Sequence, residues 1–181
     1  PVADLRVYVR GHIVDHQAID AGPHRPRVML RVDAETRAGP VSVITLHFPR
    51  AIQSRSMPRA IGPLARYLEN GVRVREDKFR YLMQALPSGR SVIVAGDMNT
   101  PPTSRFWRLV AGRLIDAFDV TGCGFGYSYV WRRKWALLRI DYIWSGGGLT
   151  PLRCWTEPAY PSDHRPVVAD LALPAVGDGP G

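Results

Sequence analysis

Alternating apolar and polar positions predict two strands near the start of the chain. Residues 27–33 alternate cleanly, which is typical of an antiparallel strand with one buried face. Residues 41–48 form a second strand after the turn at 38–40, so the two predict a hairpin. Residues 5–9 also alternate and predict a strand. Residues 11–26 combine Gly, Pro and His and predict a loop.

Two helices are predicted in the middle of the chain. Residues 72–86 show helical periodicity, after a shorter helical piece at 60–68. The apolar face of this helix consists of Phe79, Leu82, Met83 and Leu86. Its charged residues, expected on a solvated surface, include Arg73, Arg75, Lys78 and Arg80. A second helix follows an N-cap at Thr103 or Ser104. The side chains expected to face inward from it are Phe106, Leu109 and Val110.

A buried strand at 91–95 stops at two polar side chains. It lies between Gly89 and Gly96, and Asp97 and Asn99 follow directly. Ligands bind at the carboxyl ends of strands in open α/β sheets, because loops there present side chains from a rigid base. The pair therefore indicates a metal or phosphate site. Taken alone, it is more simply explained as an Asp/Asn turn that caps the next helix.

Three further polar positions interrupt or follow apolar segments. His47 ends the strand 41–48, where it suits either a phosphate contact or a satisfied core group. Asp141 lies inside a predicted strand, 138–144, and must find a partner because burial of an unpaired carboxylate is costly. The expected hairpin mate of that strand is 152–155.

The end of the chain contains one more candidate group. Ser162, Asp163 and His164 form a loop before the last predicted strand, 167–173. Together with Asp97 and Asp141, this loop provides carboxylates and an imidazole, which are the groups used in general acid–base catalysis.

Length and composition indicate one globular domain. The 181 residues are 45% hydrophobic and 22% charged, and we assign residues 1–173 to the domain and 174–181 to a disordered tail. No stretch is apolar for long enough to cross a membrane. We expect a soluble monomer, either cytoplasmic or exported after an upstream signal or anchor, since the chain begins at Pro1.

The net charge favours an anionic partner. The formal charge is +8 and the pI is about 10.1, which suits nucleic acid or anionic lipid, although the excess is mostly Arg scattered along the chain. Residues 127–135 combine aromatic and basic side chains. They fit base stacking, a membrane interface or a surface loop packed on its own aromatics. Cys123 and Cys154 lack the spacing of a metal site.

Four motifs, taken in order, resemble those of the endonuclease/exonuclease/phosphatase superfamily. They are Thr45-Leu46-His47, Gly96-Asp97-Met98-Asn99, Arg139-Ile140-Asp141-Tyr142 and Ser162-Asp163-His164. Members include deoxyribonuclease I, abasic-site endonucleases, sphingomyelinases and inositol-phosphate phosphatases. The resemblance implies a DNase I-like four-layer α/β/β/α sandwich of two mainly antiparallel sheets. It also implies a metal-dependent phosphoesterase, preferably a phosphodiesterase or nuclease.

The same resemblance implies a role for each site residue. His164 is the catalytic imidazole, and Asp141 holds its tautomer. Asp97 orients or deprotonates the attacking water, Asn99 holds a phosphate oxygen, and His47 donates to the same group. The implied substrate-binding residues are Arg105, Arg139 and Tyr142. The implied ligands of Mg²⁺ or Mn²⁺, which prefer oxygen donors, are Asp163, Asp97 and Asn99.

The chain departs from the family pattern in its first part. Family members open with a strand that ends in Asn, followed by a Gln-Glu pair whose Glu binds magnesium. Here the asparagines are Asn70 and Asn99, and none of the glutamates lies in such a setting. We therefore expect the chain to cover the last two-thirds of a family domain, with about 70 residues absent. Two alternatives to a phosphodiesterase acting on nucleic acid or phospholipid stay open. They are a non-catalytic polyanion-binding relative and a phosphomonoesterase acting on sugar or inositol phosphates.

Overall fold

The computed structural model describes residues 5–20, 29–50, 61–131, 134–158 and 161–174. The first elements are β1 (Gly11–Ile19), β2 (Met29–Thr36), β3 (Gly39–His47), α1 (Ile61–Ala85), β4 (Val92–Asp97) and α2 (Arg105–Ala111). The remaining ones are β5 (Ile115–Asp116), α3 (Ala117–Thr121), β6 (Tyr129–Trp131), β7 (Trp135–Leu138), β8 (Asp141–Gly146), β9 (Thr150–Thr156) and β10 (Val167–Ala172). Among the helices within these ranges, none is both long and apolar enough to cross a bilayer.

A six-stranded sheet forms the centre of the molecule. Its strand order is β1-β2-β3-β4-β8-β5, and β3 and β4 are its one parallel pair. The chain between β3 and β4 includes α1, because parallel neighbours require a long crossover. Two smaller antiparallel pairs, β6–β7 and β9–β10, complete the described strands. The predicted mainly antiparallel arrangement is confirmed.

The helices α1 and α2 cover one face of the central sheet. Phe79 of α1 stacks on Phe106 of α2 with ring centroids 5.2 Å apart, and meets Phe48 edge-on at 5.0 Å. These rings pack with side chains of β3, β4 and β8, such as Trp144, in one buried cluster. The β9–β10 pair lies against β8. The protein is an α/β sandwich, as predicted.

Two strand predictions were wrong. Residues 5–9 are not a strand, whereas β1 occupies the first part of the predicted loop 11–26. Almost every residue of β1 is exposed, so this edge strand shows no apolar alternation, and its pairing with β2 holds it in place. Residues 152–155 belong to β9, which pairs with β10 rather than with β8.

The helices also differ in detail from the prediction. The helix α1 is continuous from residue 61 to 85, and it buries two cations that were expected in solvent, Arg75 and Lys78. Arg75 lies one helical turn before Phe79, and Lys78 one turn before Leu82, so both extend the apolar face. The predicted cap Ser104 is confirmed, but Leu109 is 48% exposed rather than inward-facing.

Candidate active site

The ends of three neighbouring strands align the central polar residues. In the sheet register, Asp97 of β4 is paired with His47 of β3 on one side and with Asp141 of β8 on the other. Paired residues project from the same face of a sheet. Their neighbours in the chain, Leu46 and Tyr142, point into the core beneath the helices. The three polar side chains therefore lie together on the face away from α1 and α2.

His164 joins this group from the loop that precedes β10. Its Nδ1 lies 2.8 Å from Oδ2 of Asp141, and its backbone amide donates to Ser162 Oγ over 2.9 Å. The ring of Tyr129 meets the imidazole edge-on, with centroids 5.3 Å apart. The hydrogen bond with Asp141 raises the pKa of His164 above its usual value, against the opposing effect of burial. The carboxylate thus holds the ring orientation and stabilises its charged form.

A buried serine holds Asp141 from the backbone side. The hydroxyl oxygen of Ser128 accepts hydrogen bonds from the amides of Ile140, over 3.1 Å, and Asp141, over 3.0 Å. The backbone carbonyl of Ser128 accepts a hydrogen bond from the amide of Arg165, the residue after His164. Ser128 therefore links the β8 and His164 segments. Sequence reasoning missed it, because a serine in a Gly- and aromatic-rich loop carries no periodic signal.

Asp97 and Asn99 form a closed corner after β4. The backbone amide of Asn99 donates to Asp97 Oδ1, and its side-chain Nδ2 donates to Asp97 Oδ2, both over 2.7 Å. Nδ2 also donates to the Phe48 carbonyl over 2.8 Å. His47 Nε2 lies 3.6 Å from Asp97 Oδ2. Because both Nδ2 hydrogens are engaged within the protein, the side-chain carbonyl is the group that Asn99 can offer a ligand. This arrangement fits its predicted role as a metal ligand better than a donor role toward phosphate.

The electrostatics of the group suit a cation. Burial, followed by repulsion from Asp141, raises the pKa of Asp97 to about 6. Ligand atoms of Asp97, Asp141 and His164 all lie within 4.8 Å of one another. The negative charges of the two carboxylates repel each other. A divalent cation between them would offset this repulsion. Mg²⁺ needs only one or two protein carboxylates, since it keeps several waters.

The remaining predicted site residues lie around this cluster. Asp163 is exposed and its side chain is not in the three-residue group, although its carbonyl accepts from the amide of Val130 over 2.8 Å. Arg105 is exposed at the start of α2, where its Nη2 lies 3.5 Å from Glu76. The predicted roles of Asp163 and Arg105 stay predictions.

Arg139 and Tyr142 have contacts inside the protein. The Arg139 guanidinium is buried and donates to Asp116 over 2.8 Å. The Tyr142 hydroxyl donates to the carbonyl of Thr100 over 2.6 Å. The contact of Tyr142 joins β8 to the segment after β4, and that of Arg139 joins the segment before β8 to Asp116 of β5. The predicted contact of both residues with substrate stays a prediction.

The comparison with protein-family models agrees with the resemblance noted in the motifs. The model described as Endonuclease/Exonuclease/phosphatase family matches residues 5–164. This range includes the four motifs that carried the resemblance. No curated protein matches the sequence.

Solved structures of low sequence identity share the fold. An AP endonuclease from Archaeoglobus fulgidus matches with a TM-score of 0.68 and 17% identity, over 90% of this chain and 72% of its own. A mannosyl-6-phosphatase from Bacteroides thetaiotaomicron matches with a TM-score of 0.65 and 14% identity, over 90% and 67%. The human nocturnin catalytic domain with bound sulfate matches with a TM-score of 0.64 and 19% identity, over 91% and 60%. The chain spans only 46% of a family protein from Beutenbergia cavernae.

Proposed function

The chain belongs to the endonuclease/exonuclease/phosphatase family, and from this premise we propose that it hydrolyses phosphoesters, preferably phosphodiesters, with the aid of Mg²⁺ or Mn²⁺. The observation that carries the proposal is the pairing of two units at one sheet edge. One is the hydrogen-bonded Asp141–His164 pair, and the other is the Asp97–Asn99 corner beside it. Together they offer a proton carrier, an anionic group for water and oxygen ligands for a cation that would neutralise charge on phosphate.

Each residue has a distinct part in the proposed reaction. Water adds to phosphorus, the P–O bond to the leaving group breaks, and the proton lost by the water ends on the leaving oxygen. Asp97 orients the water. His164 takes up and releases a proton at Nε2, the ring nitrogen that Asp141 does not hold. His47 donates to a phosphate oxygen from its exposed position beside Asp97.

The donor set fits a hard divalent cation. Asp97 offers a carboxylate oxygen and Asn99 its side-chain carbonyl oxygen, and a carboxylate oxygen of Asp141 lies within 4.8 Å of one of Asp97. When bound there, the cation neutralises charge on the phosphate. Asp163 is the further ligand implied by the family pattern.

The first test is a substrate panel with matched conditions. It compares plasmid DNA, a phospholipid, bis(p-nitrophenyl) phosphate and a sugar phosphate, each with Mg²⁺, Mn²⁺ or chelator. The His164→Ala and Asp97→Ala proteins are assayed beside the wild type. We expect metal-dependent cleavage of a diester, lowered by about 10² or more in each variant, because general acid–base catalysis contributes that much.

The panel separates the proposed function from its alternatives. Cleavage confined to the sugar phosphate would identify a phosphomonoesterase. A folded chain that binds DNA or anionic lipid and cleaves nothing would be a polyanion-binding relative. Equal rates in wild type and His164→Ala would remove the imidazole from the mechanism.

A further inference from the structure

A buried arginine reaches the underside of the candidate site from the opposite face of the sheet. Arg75 of α1 is only 9% exposed. Its Nη1 donates to the carbonyl of Asn99 over 2.7 Å and makes a close hydrogen bond to the hydroxyl of Thr100. Its Nη2 donates to the carbonyl of Pro49 over 3.3 Å. One guanidinium thus holds the segments that follow both β3 and β4.

These two segments carry the site residues on the other side of the sheet. Pro49 follows shortly after His47, and Asn99 and Thr100 follow Asp97. A backbone hydrogen bond also joins the two segments directly, since the Phe48 amide donates to the Asp97 carbonyl over 2.8 Å. A shift of the arginine therefore affects the positions of His47, Asp97 and Asn99 together.

The backbone at this point needs such support. Asn99 has a φ of 46°, the one positive φ among the non-glycine residues that the structure describes. This left-handed conformation is disfavoured for residues with a Cβ, although Asn tolerates it better than most. The hydrogen bond from Arg75 fixes the carbonyl of this strained residue. The Thr100 hydroxyl, which accepts from Arg75, in turn donates to the Met98 carbonyl over 2.8 Å.

We propose that Arg75 is a positioning residue for the candidate active site, which clamps the β3 and β4 ends so that His47, Asp97 and Asn99 keep their mutual geometry. The inference rests on the proposed function for its catalytic consequence. It goes beyond that function because Arg75 touches no side chain of the catalytic group and lies on the helix-covered face.

The chemistry of the contact requires a guanidinium. Arg75 donates to three oxygens on two segments, which a planar fork of N–H groups reaches in a fixed geometry. A lysine keeps the positive charge near Asp97, but its donors share one nitrogen, so it does not reproduce the contacts that Arg75 makes from two separate nitrogens. Arg75→Lys therefore removes the paired hydrogen bonds but keeps the positive charge. Arg75→Met removes both the hydrogen bonds and the charge, and keeps much of the side-chain volume.

Two control variants match these changes. Arg80→Met makes the same substitution on the same helix, at a side chain that is bound to Asp77 at the surface. Asp33→Asn weakens a buried hydrogen-bonded network within the β2–β3 ladder, away from His47, where Asp33 is paired with Ser42. The second control reports what loss of stability alone does to the site.

The experiment compares steady-state kinetics, thermal unfolding and amide hydrogen exchange in these proteins. We expect Arg75→Met to lower kcat by about 10² and Arg75→Lys by about tenfold, with KM changed by less than about threefold, because misplacement of reacting groups affects the chemical step. Peptides that cover residues 97–100 should exchange faster in both Arg75 variants. Neither change is expected in Arg80→Met or Asp33→Asn.

The outcomes distinguish this inference from the proposed function. If the wild type cleaves no substrate of the panel, the proposed function fails, and the exchange of residues 97–100 still decides whether Arg75 holds the corner. Wild-type exchange in folded Arg75→Lys overturns the clamp, whatever the activity. If kcat falls equally in Asp33→Asn and Arg75→Lys, the arginine serves stability and not positioning. Arg75→Lys decides the matter if Arg75→Met does not fold.

Discussion

At the scale of single residues, the hydrogen bond between Asp141 and His164 makes the two side chains one unit. Asp141 accepts at 2.8 Å, and its own backbone is held by Ser128. A carboxylate that acts only through the imidazole contributes nothing further once that imidazole is gone. Their mutational effects should therefore not add.

A double-mutant cycle tests this dependence. We expect His164→Ala to lower kcat by about 10² or more and Asp141→Asn by a smaller factor. The double variant should be no slower than His164→Ala alone. The measurement is kcat for the wild type and the three variants, with thermal unfolding to establish that each is folded. Fully additive losses would mean that Asp141 works independently of His164.

A second residue-scale prediction concerns pH and the buried carboxylate of Asp33. Burial favours a higher pKa, but hydrogen bonds from Arg31 and Ser42 outweigh it and hold the pKa of Asp33 below its usual value of 3.8. A carboxyl whose pKa falls on folding stabilises the folded state above its unfolded pKa and loses this effect as the pH falls through the folded one. Asp33→Asn should therefore lower the free energy of unfolding by about 1–3 kcal/mol near neutral pH.

The difference between the wild type and Asp33→Asn should shrink as the pH falls from about 3.8 through the lower pKa of the folded state, because Asp33 then takes up a proton and becomes uncharged like the asparagine. Urea unfolding between about pH 3 and about pH 7 measures it. A difference that stays constant over this range would show that the charge of Asp33 contributes no stability.

At the scale of elements, the close approach of β3 and β4 depends on a glycine. A Cβ at Gly96 would lie 2.0 Å from the backbone carbonyl oxygen of Leu46, and Gly96 has a φ of 139°. We expect Gly96→Ala to lower the free energy of unfolding by more than about 2 kcal/mol, because the strand must shift and the backbone is strained. Thermal or urea unfolding measures the loss.

The control for this change is Gly62→Ala, near the start of α1, where a Cβ meets nothing within 4 Å. It should leave stability unchanged or raise it slightly, since Ala favours helix. Equal stability of Gly96→Ala and wild type would contradict the close packing of β3 on β4.

The β6–β7 hairpin is the second element with a testable role. Trp135 is 63% exposed and Trp131 44% exposed. The amide of Val130, the residue before Trp131, donates to the carbonyl of Asp163, next to His164. Exposed aromatics beside the site suit contact with a large substrate, since stacking on an aromatic ring is worth about 1–3 kcal/mol per base. Trp135→Ser should raise KM for DNA several-fold and leave KM for bis(p-nitrophenyl) phosphate unchanged.

The matched control is Leu109→Ser, which removes another exposed apolar side chain, on α2. It should leave both KM values unchanged. If Trp135→Ser raises KM for the small diester as strongly as for DNA, the hairpin shapes the site itself and does not extend the substrate contact.

Elements with a buried face were predictable from the sequence, and those without one were not. The strand before Asp97 and the cap Ser104 follow from local pattern, and so do the positions of His47 at a strand end and His164 in a loop. Asp141 was predicted in the middle of the strand 138–144, but it is the first residue of β8. The strand β1 escaped prediction because its exposed residues carry no periodicity and long-range pairing holds it. Contacts between distant segments, such as the hydrogen bond of Arg75 to Asn99, have no local signal beyond a shared helix face.

At the scale of the whole molecule, the two faces of the central sheet have separate roles. One face is buried beneath α1 and α2 and gives rigidity, whereas the strand ends on the other face present the acidic and imidazole groups. The acidic site belongs to a protein whose formal charge is +8. The carboxylates of the site repel an anionic substrate. The cations elsewhere on the protein attract the same substrate from a distance and so offset this repulsion.

This charge predicts how activity depends on salt. If the substrate is a polyanion such as DNA, binding releases counterions, and KM should rise by an order of magnitude or more between about 50 mM and about 200 mM salt, with kcat little changed. A small diester with a single charge should show a much weaker dependence, since it contacts few cations and the field is screened over about 10 Å. Initial rates on plasmid DNA and on bis(p-nitrophenyl) phosphate, at constant free Mg²⁺ and increasing KCl, measure both. Parallel salt dependence for the two substrates would mean that the basic surface does not contact the substrate, and that selection takes place within the site alone.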